Sequence, residues 1–251
     1  MKRIAIGILA VALAVLPSLA YGETAFPGNA EIAELKTDAL AGNHEAQYQL
    51  GLNYEKGRGV PRDHQEAERW LRLAADGFKP LAAKGDARAQ WFLGTQLMGG
   101  NGVVKDVDEG LRLLKLSARQ GNLNAQVYLG TIYYNGMGVT QDFKEAETWF
   151  RLAAPRGNAA AQFGLAEVCV LRESTKPEGT PENYSEAVKW YTLSAEQGNL
   201  SAQKNLAGFY EAGLFGGVPK NIEEAIKWYK RAAAQGDAEA KLHLDKLNSG
   251  K

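Results

Sequence analysis

Three histidines, one cysteine, a Ser-x-x-Lys and a series of regularly spaced acids are the side chains of this 251-residue chain with the types for chemistry. His44, His64 and His243 never fall into His-Glu-x-x-His, the spacing that turns two imidazoles to one helix face for zinc, so they read as surface residues and no metal site is expected. Ser201-Ala-Gln-Lys204 matches the Ser-x-x-Lys of penicillin-recognising enzymes, but neither Lys-Thr-Gly nor Ser-Asp-Asn accompanies it. Cys169 could act as a nucleophile only beside a base that makes it a thiolate, and as the single cysteine it rules out an internal disulfide or a zinc site of several thiolates. A Gly-x-x-x-x-Gly-Lys-Ser/Thr phosphate loop is absent. The acids come as Asp or Asn followed three residues on by Glu: Asp63 with Glu66, Asp106 with Glu109, Asp142 with Glu145, Asn183 with Glu186, Asn221 with Glu224. One such pair could serve glycoside hydrolysis; five in register read as helix-capping boxes. No enzyme and no cofactor are expected.

The elements that position these residues recur. Gly42-Asn-His-Glu-Ala-Gln47 returns at Gly85, Gly121, Gly157 and Gly198, and a sixth copy opens at Gly236. The spacings of 43, 36, 36, 41 and 38 give a unit of 36 residues, with insertions of 7, 5 and 2 that belong in loops or helix ends. Each unit holds two helical stretches. Ala46, Leu50 and Tyr54 exemplify the first, and Ala67, Trp70, Leu71 and Ala74 the second, at the spacing of an amphipathic helix. Gly57-Arg-Gly-Val60 and its counterparts supply a turn whose glycines can take the left-handed backbone. Small residues at Gly51, Gly94, Gly130, Ala166 and Ala207 share one helix position and Ala67, Gly110, Ala146, Ala187 and Ala225 another, the size that close helix crossings need. Trp70, Trp149, Trp190 and Trp228 fill the complementary large position as core residues, with Leu113 standing in once.

The expected divisions are a leader over 1–22, an N-terminal segment and capping helix over 23–41, repeats over 42–84, 85–120, 121–156, 157–197 and 198–235, and a polar capping helix over 236–251 with Lys241, Asp245 and Lys246 in water. The leader has Lys2 and Arg3, 13 apolar residues from Ile4 to Leu16, and small residues that permit cleavage after Ala20 or Gly22. A run of 13 is too short for a spanning anchor, so the mature chain is expected in the periplasm or the medium. Its 27 basic and 29 acidic residues leave a formal charge of −2, too balanced to expect a nucleic-acid partner.

Together the phrase Gly-Asn-x-x-Ala-Gln-x-x-Leu-Gly-x-x-Tyr, the Gly-x-Gly-Val turn and Asp-x-x-x-Ala-x-x-Trp-x-x-x-Ala-Ala resemble the Sel-one-like repeat family, relatives of the tetratricopeptide repeat, over residues 42–240. The resemblance implies an all-α, right-handed α/α superhelical solenoid of helix-turn-helix repeats that acts as an adaptor or regulator by binding proteins or peptides. This chain departs from the pattern with Leu97 and Leu113 in the second unit, with Cys169 at a Tyr position, and with Arg172–Asn183 replacing the glycine turn of the fourth unit. It lacks the cysteines of the family's disulfide-bearing branch.

In such a solenoid the first helices line the inner surface. The positions not needed between helices then form a strip of Tyr48, Trp91, Thr95, Met98, Tyr134, Phe163 and Glu167, which either seats an apolar anchor of an exported or membrane protein or completes the packing of adjacent units. Glu55, Glu167 and Glu211 favour a basic neighbour. The functional expectation is a protein-interaction scaffold or regulator of the cell envelope. A cell-wall or β-lactam hydrolase and an immunity protein against a secreted toxin are the alternatives.

Overall fold

The computed structural model describes residues 29–174, 184–213 and 218–249. The expected leader, most of the segment Arg172–Asn183, and with it the Asn183 cap, lie outside them. Among the described residues there are twelve α-helices and no strand, arranged as consecutive helix-turn-helix repeats. The chain divides into two compact units, Met1–Thr140 and Gln141–Lys251. The first holds α1 (Asn29–Leu40), α2 (His44–Lys56), α3 (His64–Ala83), α4 (Ala87–Gly99), α5 (Val107–Arg119) and α6 (Leu123–Asn135). The second holds α7 (Phe143–Ala153), α8 (Ala159–Ser174), α9 (Ser185–Glu196), α10 (Leu200–Ala212), α11 (Ile222–Ala234) and α12 (Ala238–Asn248).

The repeated phrase is a helix stop followed at once by a helix start. Gly42, Gly85, Gly121, Gly157, Gly198 and Gly236 all have φ between 87° and 92°, and a Cβ on any of them would meet nothing within 4 Å. Glycine is required there by backbone conformation alone. The next residue caps the following helix: Asn43, Asp86, Asn122, Asn158, Asn199 and Asp237 each accept a first-turn amide at 2.7 to 3.1 Å. Such a cap is worth about 1 kcal/mol.

The second helices are capped by Asp63, Asp106, Asp142 and Asn221, each of which accepts the amide of the Glu three residues on at 3.0 to 3.1 Å. The reciprocal half of the expected capping box does not form at Asp63, Asp106 or Asn221. Their own amides donate to the carbonyls of Tyr54, Leu97 and Tyr210 and so close the inter-helix turn. The glutamates are thereby released: Glu66 accepts from Trp70 Nε1 at 2.9 Å, Glu109 pairs with Arg112 and Glu224 with Lys227.

The small positions bring helices into backbone contact. A Cβ on Gly51 would lie 2.6 Å from Leu71 Cγ, and one on Gly110 would lie 2.9 Å from the Gly94 carbonyl. The seven-residue insertion of the first repeat lengthens α3 to 20 residues against 13 in α5. Seven residues make nearly two turns, so the buried stripe keeps its direction. The added turns contribute Phe78, which stacks on Phe92 at 4.7 Å and meets the edge of His44 at 5.9 Å. In α12, Lys241, Asp245 and Lys246 are exposed as expected.

Candidate functional site

The glutamine of the repeated phrase ties each turn together. Gln47, Gln90, Gln126, Gln162 and Gln203 are buried, and each donates Nε2 to the carbonyl eight residues back, Ala39, Ala82, Ala118, Ala154 or Ala195, at 3.0 to 3.2 Å. That bond satisfies a carbonyl at the end of the preceding helix or, at Ala154, in the 3-10 turn that follows α7. Three of them also accept from the glutamine that caps the C-terminus of the next second helix: Gln90 from Gln120, Gln162 from Gln197 and Gln203 from Gln235, at 2.7 to 2.8 Å. The recurrence of Gln was visible in the sequence, but its partner, a backbone carbonyl, was not.

The expected strip lies mostly inside the packing. Tyr48, Trp91, Thr95, Met98, Tyr134 and Phe163 are 1% to 9% exposed, and only Glu167 is half-buried. Tyr48 packs on Phe92 of the neighbouring first helix at 5.1 Å, and Trp91 on Phe92 at 4.4 Å. Met98 lies against Gly110, and Phe163 lies 5.9 Å from Tyr191. Thr95 donates its hydroxyl to the Phe92 carbonyl at 2.7 Å. Of the two readings open for this strip, the arrangement favours the completion of packing for six of the seven residues.

The acids expected beside the strip are each held. Glu55 pairs with His64 at 2.9 Å. Glu167 of α8 accepts from Tyr191 Oη of α9 and from Asn205 Nδ2 of α10, the latter at 2.7 Å. Glu211 of α10 accepts from Tyr229 Oη of α11 at 2.7 Å and lies 3.1 Å from His243 Nδ1 of α12. His243 stacks on Tyr229 at 4.8 Å. Burial, and then the Glu211 carboxylate beside it, push the Tyr229 hydroxyl up. Both clusters draw on the tyrosine that follows Trp190 or Trp228 and on the residue seven after a repeated glycine. That shared register was a signal in the sequence.

The remaining candidates are bound up in structure. Lys204 contacts Asp237 at 3.2 Å and Glu239 at 2.5 Å. Although burial disfavours its charge, those carboxylates raise its pKa, which makes it a poor base for Ser201. Cys169 is buried, and desolvation pushes its thiol up to about 12, which leaves little thiolate at neutral pH. Near it a ring of ion pairs joins three helices. Arg151 contacts Glu147 at 2.7 Å and Glu186 at 2.8 Å, and Arg172 contacts the same two glutamates at 2.8 and 2.7 Å. Burial alone would raise the Glu186 carboxyl, but the bonds from Arg172 and Arg151 hold it down at about 2. No group of three metal-ligating side chains gathers among the described residues, and none of their helices is long and apolar enough to cross a membrane.

Comparison with known proteins accords with this architecture. The Sel1 repeat pattern matches residues 44–77, 87–122, 123–158, 159–199 and 200–237. No curated protein matches the chain. Among solved structures, a protective antigen of uropathogenic Escherichia coli strains displaying an SLR fold is 31% identical, with a TM-score of 0.59 over 86% of this chain. This chain spans about half, 51%, of that antigen. A Sel1 repeat protein from Oxalobacter formigenes is 29% identical, with a TM-score of 0.59 over 83% of this chain and 86% of that one. An immunity protein from Pseudomonas aeruginosa shares the fold at 21% identity, with a TM-score of 0.54 over 92% of this chain and 83% of its own. From five successive matches and the capped, glutamine-tied turns that join them, this chain belongs to the Sel1 repeat family.

Proposed function

We propose that this protein is a non-enzymatic interaction scaffold or regulator of the bacterial cell envelope, which holds a segment of another exported or membrane protein along the first helices of its repeats. Sel1 repeat proteins generally serve as protein-interaction scaffolds. The observation that carries the reading is a division of labour within each repeat. The residues that recur are engaged in caps, in the glutamine bonds and in helix crossings. At one register of the first helices the half-buried residue changes from repeat to repeat: Leu52 in α2, Glu167 in α8 and Gly208 in α10. Unlike side chains on a common frame are what select one partner from many. In this reading Tyr48, Trp91, Thr95, Met98, Tyr134 and Phe163 fix the frame from behind, and the leader over 1–22 delivers the protein to the periplasm or the medium.

Mature protein carrying a photo-crosslinking residue in place of Leu52 or Gly208 would be exposed to periplasmic and membrane extracts, and the adducts identified by mass spectrometry. The expected result is a partner that then binds saturably in calorimetry and is weakened by Leu52→Arg or Lys204→Glu. Turnover of a β-lactam or of peptidoglycan that vanishes with Ser201→Ala would overturn the reading in favour of a hydrolase. If the partner proves to be a toxin that the protein neutralises, the scaffold is an immunity protein.

A further inference from the structure

The turn of the first repeat carries positive charge that the fold does not use. Lys56, Arg58 and Arg62 surround Gly57, a left-handed residue at φ 68° whose added Cβ would lie 3.3 Å from Arg62 Cβ. Other repeats provide an internal control. The basic residue after the turn recurs as Lys105 and Lys220, and its stem packs on the left-handed glycine there as well, so Arg62 has an architectural part. Lys56 and Arg58 have none: the matching positions hold Gly99 and Asn101 in the second repeat and Asn135 and Met137 in the third, and both turns form without them.

Both extra cations are half-buried, and no carboxylate among the described residues pairs with Lys56, Arg58 or Arg62. The nearby Glu55 is engaged with His64 instead. Burial, and after it the Arg58 guanidinium, press the Lys56 ammonium down from its ordinary value. Partial burial of like charges without a counter-ion is unfavourable and is relieved by an anion that fits among them. Two repeats show that neutral residues would serve the turn, so stability of the fold does not account for the choice.

We propose that the Lys56, Arg58 and Arg62 turn is the docking point for a carboxylate-rich segment of the partner protein. The proposal rests on the scaffold reading and adds the partner's chemistry to it. The arginines offer paired N–H groups to carboxylates, and the lysine adds a point charge beside them.

The test uses a short fluorescein-labelled polyglutamate peptide and full-length mature protein, read by fluorescence anisotropy. Saturable binding is expected, weakened roughly tenfold or more by Lys56→Gln with Arg58→Gln. Lys84→Gln with Lys105→Gln, the same charge change elsewhere in the first unit, is expected to leave it nearly unchanged. Equal weakening by both pairs, or no binding by the unaltered protein, overturns the proposal. Displacement by inorganic phosphate at concentrations that chloride does not match would reassign the turn to phosphoryl groups, and binding to phosphatidylglycerol vesicles in place of polyglutamate would reassign it to a lipid surface; either overturns it. If the Lys56, Arg58 pair of substitutions abolishes polyglutamate binding while a cross-linked partner keeps its affinity, the docking role falls and the scaffold reading stands. If no partner is found at all, it is the scaffold reading that fails.

Discussion

Replacing Gln203 with methionine isolates the role of the repeated carboxamide. Methionine has similar length and no polar end, so the volume is kept while two hydrogen bonds are lost: Nε2 to the Ala195 carbonyl at 3.0 Å, and the bond from Gln235 Nε2 to Oε1 at 2.8 Å. The Ala195 carbonyl still accepts the Gly198 amide at 3.0 Å, so no buried acceptor is orphaned. Each lost bond contributes about 0.5 to 1.5 kcal/mol net. Gln235 is exposed and water can take over its donor, which puts its bond at the low end. The expected loss is therefore about 1 to 2 kcal/mol, visible in urea unfolding as a lower midpoint at constant slope. Gln49→Met, at a half-buried position of the same helix type, is the control and should change stability by about 0.5 kcal/mol or less. Adding Gln235→Ala completes a double-mutant cycle, in which a coupling of about 0.5 to 1 kcal/mol is expected. If Gln203→Met costs no more than Gln49→Met, or the cycle shows no coupling, the glutamine does not tie the turn and the structural account of the repeated phrase is wrong.

Gly236→Ala, at φ 90° in open space, should lose about 1 to 2 kcal/mol to backbone strain alone, and Gly236→Asn should recover part of it in thermal melts. Gly110→Ala would place a Cβ 2.9 Å from the Gly94 carbonyl and 3.0 Å from Met98 Cγ, and is expected to lose about 1 to 3 kcal/mol as α4 and α5 separate. The Glu186 carboxyl is depressed from 4.5 to about 2, so its contribution is fully present above pH 4.5 and is lost as pH falls through about 2; Glu186→Gln should destabilise the protein at neutral pH and flatten the acid limb of a circular-dichroism titration. Cys169 in the native protein should react with a thiol-specific disulfide reagent only as fast as its surroundings open, and at once in denaturant; rapid native labelling would contradict its burial.

Most of the frame was legible because its determinants are local and recur. A left-handed glycine followed by Asn or Asp is a stop and a start whatever surrounds it, and Gly42-Asn43 and Gly198-Asn199 behave alike in the two units. The reach of Glu66 was misjudged because the Asp63 amide had a backbone acceptor in Tyr54, which no spacing within the second helix reveals. The exposure of Trp91 and Phe163 was illegible for a related reason. Helical periodicity says which side chains share a face, whereas what closes over that face is set elsewhere in the chain: Tyr191 of α9 packs beside Phe163, and Tyr48 of α2 and Phe78 of α3 pack on Phe92, which lies against Trp91. The charged turn at Lys56 and Arg58 stood in plain view, but only comparison with the structurally equivalent Gly99 and Asn101 separates what the turn needs from what it merely carries.

The lengthened α3 has a bearing on how such chains can vary. Its seven extra residues entered a helix, whereas the first helix of the fourth repeat, α8, starts in register with α6 and α10 and runs on at its C-terminal end to 16 residues against their 13. A heptad returns a helix to within roughly 20° of its starting orientation, whereas five or two residues added mid-helix would rotate every later side chain away from its neighbours. Growth within a rod is thus quantised and growth at a joint is continuous. A designer wishing to extend one arm of this protein without disturbing the next repeat should add sevens.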